Sequence, residues 1–375
     1  MTALNDDRLH FLDGLRGWGA LAVVIFHVFI DGFPINDSVT SRLWHVFVFN
    51  GALAVWIFFL VSGFSLSIAF CQRRDRSSLV AIAIGRLPRL AIPVFCASLL
   101  LYVFFAVGAV PAATQRLPVF QAFLPVAPSL WEVVRSSFFD TFFAFSPSTT
   151  LIPPLWTMPF ELWGSCLVLG ASLVAGQLPR RFLVYGLLTL LAYFVHQIYA
   201  AFMMGLLLAE FYAAGAWKKN ASRISVFSTL GFCASIYAAA VLPRAGDEHR
   251  NAYLAVAVAM TVSCIFSKPL SSMLSSSLSR FLGRISFPLY LIHGPVMLAY
   301  GNNAYRWVGE PTDVQKALLN LSMVALSITC AIFLIPTDRW GIVAAKRFST
   351  YVTGKRLAPN EPEAEVNPLE RYKSR

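Results

Sequence analysis

Long hydrophobic runs separated by short polar segments are the dominant pattern along this chain. A helix that crosses a membrane needs roughly 20 mostly apolar residues, and its backbone groups must be satisfied within the segment. The pattern therefore predicts an all-α, polytopic transmembrane helical bundle of about ten spans. These lie near residues 17–33, 46–70, 88–110, 155–175, 182–195, 198–214, 224–242, 252–267, 285–303 and 317–337. The fifth and sixth spans are short and join at His196, so a re-entrant pair is an alternative there.

The composition indicates a membrane protein and limits the number of its domains. Hydrophobic residues make up 57% of the chain and charged residues only 13%, whereas soluble domains carry about a quarter charged residues. No hydrophilic stretch is long enough to form a separate soluble domain. We therefore expect one transmembrane domain over residues 1–345, followed by a cytoplasmic polar tail over 346–375 that is disordered.

The net charge of +11 is divided unevenly between the two sides of the predicted bundle. When the spans alternate in direction, the side with both chain ends carries about 23 of the 30 Lys and Arg residues, and the other side carries about 7. Positive charge stays cytoplasmic during insertion, so both termini are predicted to be cytoplasmic. This orientation explains the net positive charge, so a nucleic-acid partner is not needed to account for it.

The six cysteines lie in or beside apolar runs, and none has the spacing of a metal or redox site. They are interpreted as small, apolar-like helix residues, so neither disulfides nor a metal site is expected. The first apolar run follows an acidic N-terminus and lacks a short core that ends in a small-residue cleavage site. We therefore expect no cleavable signal peptide.

The longest predicted outer loop, 111–154, contains an amphipathic stretch, SLWEVVRSSFFDTFFAF, at 129–145. Such a stretch is suited to the membrane interface, or to covering a cavity from the outer side.

The first span carries three ionisable residues, Asp13, Arg16 and His27. Each is costly inside a membrane unless it is paired or reached by water. At about 100° per residue, His27 points about 20° from Arg16 and about 40° from Asp13, so all three share one helix face. His27 lies roughly 16 Å further along the helix than Arg16. An interfacial Asp13–Arg16 ion pair and a core histidine bonded to a neighbouring helix are the structural alternatives.

Arg86 and Arg89 form an i,i+3 pair, which the pattern places at the start of a helix with Pro88 in the first turn. The arginines at positions 73, 74 and 76 extend this pair into a basic cytoplasmic cluster. Snorkelling to lipid phosphates is one interpretation. Bidentate binding of a phosphorylated cytoplasmic ligand is the other.

Three more polar residues stand out within the predicted spans. Glu161 lies in the outer half of the fourth span, where a lone carboxylate needs a partner or water. Tyr290 and His293 add a phenol and an imidazole to the ninth span. Packing or interfacial anchoring explains Tyr290 equally well.

Several of these segments resemble the acyltransferase-3 family of bacterial integral membrane O-acyltransferases. The stretch FLDGLRGWGALAVVIFH resembles the family's opening signature, and Arg16 and His27 match its arginine-x10-histidine motif. FFLVSGFSLS at 58–67 resembles the pattern of its second span. Arg86 and Arg89 match its paired-arginine motif.

The resemblance continues into the second half of the chain and covers about residues 8–337. LWTMPFELW is similar to a family stretch and places Glu161 on its glutamate. GRISFPLYLIH is similar to a later segment, with Ser286, Tyr290 and His293 at the matching positions. The opening signature and the second-span pattern together are specific for the family, whereas the later segments would be weak on their own.

This resemblance implies a cell (inner) membrane enzyme that moves an acyl group, usually acetyl, from cytoplasmic acyl-coenzyme A to a hydroxyl of a carbohydrate or glycolipid. Acyl-coenzyme A is then the donor substrate, and no permanently bound cofactor is expected. Arg86 and Arg89, with Arg16, would hold its phosphates. Its pantetheine arm would follow the first helix to His27, which acts as general base or carries the acyl group itself.

The remaining candidates have supporting roles in this scheme. Asp13 is expected to orient Arg16, and Glu161 to bind the acceptor from the outer side or to polarise a partner. Ser286, Tyr290 and His293 are further site candidates. The main alternative is a transporter or flippase that moves a glycan or small solute along the same polar stripe. A structural subunit without chemistry is a third possibility.

Overall fold

The computed structural model describes residues 9–124, 126–244 and 246–354. Within those ranges it contains helices and turns but no strand. The long helices are α1 His10–Phe26, α2 Gly51–Arg73, α3 Arg76–Ala106, α4 Thr157–Ala175, α5 Arg181–Val195, α6 Gln197–Ala214, α7 Ala221–Val241, α8 Arg250–Phe266, α9 Ser277–Val296, α10 Asp313–Phe333 and α11 Ile335–Thr353.

Short helices complete the connections between these elements. Three are π-helical, at His27–Gly32, Ser136–Asp140 and Met297–Gly301. The other short α-helices are Asp37–Trp44, Pro118–Gln121, Leu130–Arg135, Thr141–Phe143, Lys268–Leu274 and Asn302–Val308, and 3₁₀ turns include Phe47–Phe49, Pro153–Trp156 and Ala216–Asn220.

The predicted all-α membrane bundle of about ten spans is confirmed. In the described part of the chain, eight helical segments are long and apolar enough to cross a membrane. A ninth is counted if α8 and Lys268–Leu274, which meet at 89°, form one broken span. The shorter apolar helix α5 makes the tenth. The protein is therefore a multi-pass membrane protein.

Close helix contacts at glycine hold the centre of the bundle together. At Gly63 of α2, an added Cβ would lie 2.0 Å from the carbonyl oxygen of Phe202 on α6. At Gly205 of α6, it would lie 2.2 Å from the carbonyl oxygen of Leu60. Such small residues let two backbones approach closely in a membrane, where van der Waals contact drives helix association. A core of side chains that are almost fully buried surrounds this contact.

A second set of close contacts joins α1 to α9 and to the short helix Lys268–Leu274 that precedes it. A Cβ at Gly14 would lie 1.9 Å from the carbonyl oxygen of Leu274, and one at Gly17 would lie 2.4 Å from the amide nitrogen of Gly283. The neighbouring face of α1 meets α2, because Gly19 lies against the ring of Phe58. The stripe of Asp13, Arg16 and His27 therefore runs between α2 and α9.

The structure corrects the predicted start of the third span. That helix begins at Arg76 rather than near residue 88, and both Pro88 and Pro93 lie inside it. Proline is tolerated within membrane helices because neighbouring helices and local adjustments satisfy the freed backbone groups. Here α11 packs against this region, with Pro93 in contact range of Gly341. The arginine pair is therefore more than two turns inside the helix rather than at its first turn.

The last helix corrects the start of the predicted tail. α11 runs past residue 346 and ends at Thr353, where Gly354 adopts a left-handed φ of 63°. It lies antiparallel to α3, since Ala345 faces Gly85 while Gly341 faces Arg89. Packing against α3 stabilises a helix that is too polar for the hydropathy pattern to predict. The rest of the predicted disordered tail, 355–375, lies outside the described residues.

The amphipathic stretch of the outer loop packs against the side of α3. It forms Leu130–Arg135, which begins with a capping box between Ser129 and Glu132, and continues as a π turn. The ring centroid of Phe138 lies 5.5 Å from that of Phe95, a residue in the middle of α3. This segment therefore packs one face against the outer half of α3, while Trp131 and Phe139 stay exposed.

We predict that Gly63→Ala destabilises the folded protein by about 1–3 kcal/mol, because its methyl group overlaps a backbone carbonyl that cannot move alone. Gly170→Ala is the matched control, since nothing lies within 4 Å of a Cβ at that position. Thermal unfolding of both variants in the same detergent provides the measurement. An equal effect of the two changes would contradict the proposed helix contact.

Candidate active site

His27 ends the regular part of α1 and forms a pair with Asp31. Its Nδ1 lies 3.0 Å from Asp31 Oδ2, and the two side chains are 27% and 49% exposed. A carboxylate only accepts hydrogen bonds, so this contact places the proton on Nδ1 and leaves the Nε2 lone pair available. A histidine oriented in this way is a competent general base or nucleophile.

A second imidazole lies directly beside this pair. The rings of His27 and His293 are stacked, with centroids 5.3 Å apart and planes 20° apart. His293 is 1% exposed, and its Nδ1 lies 3.3 Å from the carbonyl oxygen of Leu289. Its Nε2 is buried without a hydrogen-bond partner among the described residues. Because Nδ1 bonds to the Leu289 carbonyl oxygen, Nε2 carries the lone pair of this ring.

Two π turns face each other at the outer ends of α1 and α9. His27 is the first residue of one turn, and the second turn begins at Met297, four residues after His293. A Cβ at Gly32 would lie 2.5 Å from Met297 Cε, so the turns are in close contact. A π turn widens the helix and re-aims side chains, which is why these turns are frequent at functional sites.

The other two candidates on α9 bond to nearby backbone or to α4. Tyr290 is 7% exposed, and its hydroxyl lies 2.7 Å from Thr157 Oγ1 and donates to the carbonyl oxygen of Pro154. The Tyr290 and His293 rings are 6.0 Å apart. Ser286 Oγ donates to the carbonyl oxygen of Gly283 at 2.8 Å. Tyr290 thus connects α9 to the start of α4 beside the histidines, whereas Ser286 bonds within its own helix.

Arg86 and Glu161 form an ion pair between α3 and α4, and their side chains are 14% and 15% exposed. Arg86 Nε also donates to Ser165 Oγ at 2.9 Å, and Ser62 Oγ of α2 donates to Glu161 Oε1 at 2.9 Å. This network corrects the predicted separation of the two residues. The sequence placed Arg86 near the cytoplasm and Glu161 in the outer half, but they share one level inside the bundle.

Arg89 pairs with the last helix, and its guanidinium contacts both carboxylate oxygens of Asp338, at 2.5 and 3.3 Å. Arg16 and Arg89 are both electrostatic neighbours of Arg86. Three guanidinium groups therefore gather between α1 and α3, with the carboxylates of Glu161 and Asp338 beside them. We call Arg16, Arg86 and Arg89 the arginine cluster.

A family model for the acyltransferase domain of the acyltransferase-3 type matches residues 9–336, which is nearly the whole chain. The chain belongs to the acyltransferase-3 family. No significant match was found among the curated proteins or among the solved structures. The protein is therefore an acyltransferase that transfers groups other than aminoacyl groups.

Within this acyltransferase, the structure brings the predicted site residues together in two groups. His27, His293 and Tyr290 lie near the outer ends of α1 and α9. Arg16 belongs to the arginine cluster beside Glu161. Asp13 lies on the same helix as Arg16, and its backbone packs against Gly283. The assigned roles in catalysis and donor binding stay predictions.

Sequence reasoning missed Asp31 and Asp338 as partners in this acyltransferase. Asp31 was detectable, because an acid four residues after a histidine faces it on a helix. Asp338 was not, because it lies in the polar segment beyond the predicted spans and meets Arg89 only after α11 folds back on α3.

A buried charge cluster away from the histidines was also missed. Glu210 is fully buried on α6 and binds both Arg74, at 2.5 and 2.7 Å, and Arg181, at 3.2 Å. Arg74 also donates to the carbonyl oxygen of Gly176 at 3.1 Å. The cluster joins the ends of α2, α4, α5 and α6. It accounts for Arg181, which the sequence assigned only to the orientation of the bundle, and for Arg74, which the sequence placed in a basic cytoplasmic cluster.

We predict that Arg86→Met alone destabilises the acyltransferase by about 3–5 kcal/mol, because it leaves the Glu161 carboxylate buried without its cation. Adding Glu161→Gln should restore most of this loss, since the double variant buries no charge at that position. Arg135→Met is the control, because the Arg135 side chain is 58% exposed in its pair with Asp140. It should cost about 0–1 kcal/mol. Unfolding in detergent measures the stability of all three variants. If Glu161→Gln did not restore the stability lost in Arg86→Met, the proposed ion pair would be contradicted.

Proposed function

We propose that this acyltransferase moves an acyl group, with acetyl as the expected case, from cytoplasmic acyl-coenzyme A to a hydroxyl of a carbohydrate or glycolipid on the outer side of the inner membrane. The observation that carries the proposal is the Asp31–His27 pair beside the orphaned Nε2 of His293, on the helix that also holds Arg16. Family membership favours acyl transfer over the alternative function as a transporter or flippase.

The arginine cluster supports a polyanionic donor. Coenzyme A carries several phosphate charges, and guanidinium groups bind phosphates through charge-assisted hydrogen bonds. Arg86 is largely buried and tied to Glu161 and Ser165, so its contribution is to the local field. Arg16 is the member on the same helix as His27. We therefore assign the direct phosphate contact to Arg16 rather than to Arg86.

The distance along α1 suits the rest of the donor. Arg16 and His27 are eleven residues apart on a continuous α-helix that ends at Phe26, so they are separated by roughly 16 Å. An extended pantetheine arm spans such a distance. A donor whose phosphates are held at Arg16 thus places its thioester near His27.

The reaction then needs a general base and a carboxylate that stabilises the protonated form of that base. His27 Nε2 takes the proton of the acceptor hydroxyl while the hydroxyl oxygen bonds to the thioester carbonyl carbon. The carbon–sulfur bond breaks, and the leaving coenzyme A thiolate receives that proton. Asp31 stabilises the imidazolium that forms in between. The stacked ring of His293 holds the His27 imidazole in its orientation.

A covalent route uses the same residues in a different order. His27 Nε2 would attack the thioester, release coenzyme A and carry the acyl group to the acceptor. In this route the acylated imidazole forms without the acceptor. Mass spectrometry of the protein after incubation with acetyl-coenzyme A alone distinguishes the two routes.

We predict that His27→Ala lowers acetyl transfer by about 10²–10⁴-fold, because it removes the general base. Asp31→Asn keeps the imidazole but loses the carboxylate that orients it, so we expect a loss of at least about tenfold in kcat. Asp140→Asn is the matched control, since Asp140 pairs with the exposed Arg135 of the loop before α4 rather than with a histidine. The assay follows thiol release from acetyl-coenzyme A and acyl gain on surface glycans by mass spectrometry. Full activity of His27→Ala would refute the proposed mechanism.

For the donor, we predict that Arg16→Gln weakens coenzyme A binding about 10- to 100-fold, which is the range for losing one hydrogen bond to a charged group. The exposed outer residue Arg135 provides the control variant Arg135→Gln. Isothermal titration of protein in nanodiscs with coenzyme A measures both. Equal affinity of the two variants would show that Arg16 does not contact the donor.

A further inference from the structure

A cleft of about 340 Å³ opens between the outer ends of α2, α4, α6 and α8, on a different face of α2 from His27. Its lining residues lie in the first three turns of these helices or in the segments just before them, and all four helices begin on the outer side in the predicted orientation. Trp56 and Phe59 line it from α2, Trp156 and Phe160 from the start of α4, and Tyr253 from α8. Its volume is within the range of small-ligand pockets.

Aromatic rings form a continuous wall along this cleft. The ring centroids of Trp156 and Phe160 are 6.2 Å apart, and the two rings are nearly perpendicular. The ring centroid of Phe160 lies 4.9 Å from that of His196. Trp156 is 40% exposed, whereas Trp56 and Tyr253 are 8% and 1% exposed. The buried rings therefore make the base of the cleft, and Trp156 presents an open face at its mouth.

Polar groups surround the mouth of the same cleft. His196 lies at the break between α5 and α6, and Arg250 is the first residue of α8. Both contribute to the lining. An aromatic wall with a few polar groups at its rim is the usual construction of a site that fixes a ligand's orientation.

We infer that this outer cleft binds a sugar unit of the acceptor, an inference that rests on the proposed transfer to a carbohydrate. A sugar ring has apolar faces of C–H groups and a polar edge of hydroxyls. The faces stack on Trp156 and Phe160, and the hydroxyls meet the polar rim. The cleft opens where the acceptor arrives, and its rings match the sugar rather than the phosphates of the donor.

The cleft lies next to both groups of site residues without containing them. Phe59 and Phe160 are 6.4 Å apart at its base, and one turn or less further along the same helices Ser62 bonds to Glu161. On the neighbouring face of α2, Gly51 packs against Phe26, the residue before His27. The cleft therefore holds a sugar adjacent to the reacting one, and it confers selection of the acceptor rather than chemistry.

A lipid chain is the competing occupant, and it fits the observations less well. A hydrocarbon chain gains nothing from the imidazole and guanidinium groups at the rim. It also enters from the side of a bundle, whereas this cleft is bounded by the outer ends of four helices. Its position at the end of the helices favours a ligand that arrives from water.

The test uses the full-length protein in nanodiscs and the oligosaccharides released by mild acid from the envelope of cells that lack the gene. Saturation-transfer NMR measures binding directly, and thiol release from acetyl-coenzyme A is followed separately in the same preparations. Trp156→Ala should weaken oligosaccharide binding about 3- to 10-fold, the range for losing one aromatic contact. Trp156→Phe should retain most of it, because a stacking face remains. Trp307→Ala is the control, since Trp307 is 90% exposed on the outer side and outside the cleft.

The possible results separate the cleft from the proposed reaction. Unchanged binding in Trp156→Ala, or no binding in the wild type, would overturn the sugar site whether or not acetyl transfer occurs. Labelling of Trp156 by a photoactivatable phospholipid that oligosaccharides do not displace would overturn it in favour of lipid. Intact binding without any acetyl transfer by the wild type would instead refute the proposed function and leave the sugar site standing.

Discussion

The need to neutralise charge inside a membrane bundle is the constraint on which this structure depends. Arg86 and Glu161 satisfy it by pairing across α3 and α4, with serine hydroxyls completing the network. Arg89 satisfies it by recruiting Asp338 from α11. Because an unpaired charge is far more costly in this environment than in water, each pair fixes the rotation and depth of the helices that carry it. The positions of the functional groups follow from these pairs.

Close backbone contacts at glycine complement the ion pairs. Gly63 and Gly205 bring α2 and α6 together, while Gly14 and Gly17 bring α1 against α9. The second contact matters for chemistry, because α1 and α9 carry His27 and His293. Only when the two helices lie this close do their imidazole rings stack and their π turns meet. The packing of small residues near the cytoplasmic end thus sets the geometry of the histidine site near the outer end.

The two groups of polar residues lie at different depths of the bundle. In the predicted orientation, the arginine cluster lies toward the cytoplasmic half of α1 and α3, and the histidines lie at the outer end of α1 and α9. The aromatic cleft opens beside them at the outer ends of four other helices. In the proposed function, a donor held from one side and an acceptor held from the other meet at His27. Neither substrate has to cross the membrane completely.

The sequence alone determined the class of the protein, the number of spans and the stripe of Asp13, Arg16 and His27. Hydropathy and helix periodicity are local properties, so they are readable from the order of residues. It did not determine that Arg86 faces Glu161, that Asp338 reaches Arg89, or that two π turns bring His27 beside His293. Those contacts join residues far apart in the chain or depend on a local departure from α-helical geometry. Only the packing of the helices against one another decides them, because a buried charge takes whichever partner the folded bundle brings within reach.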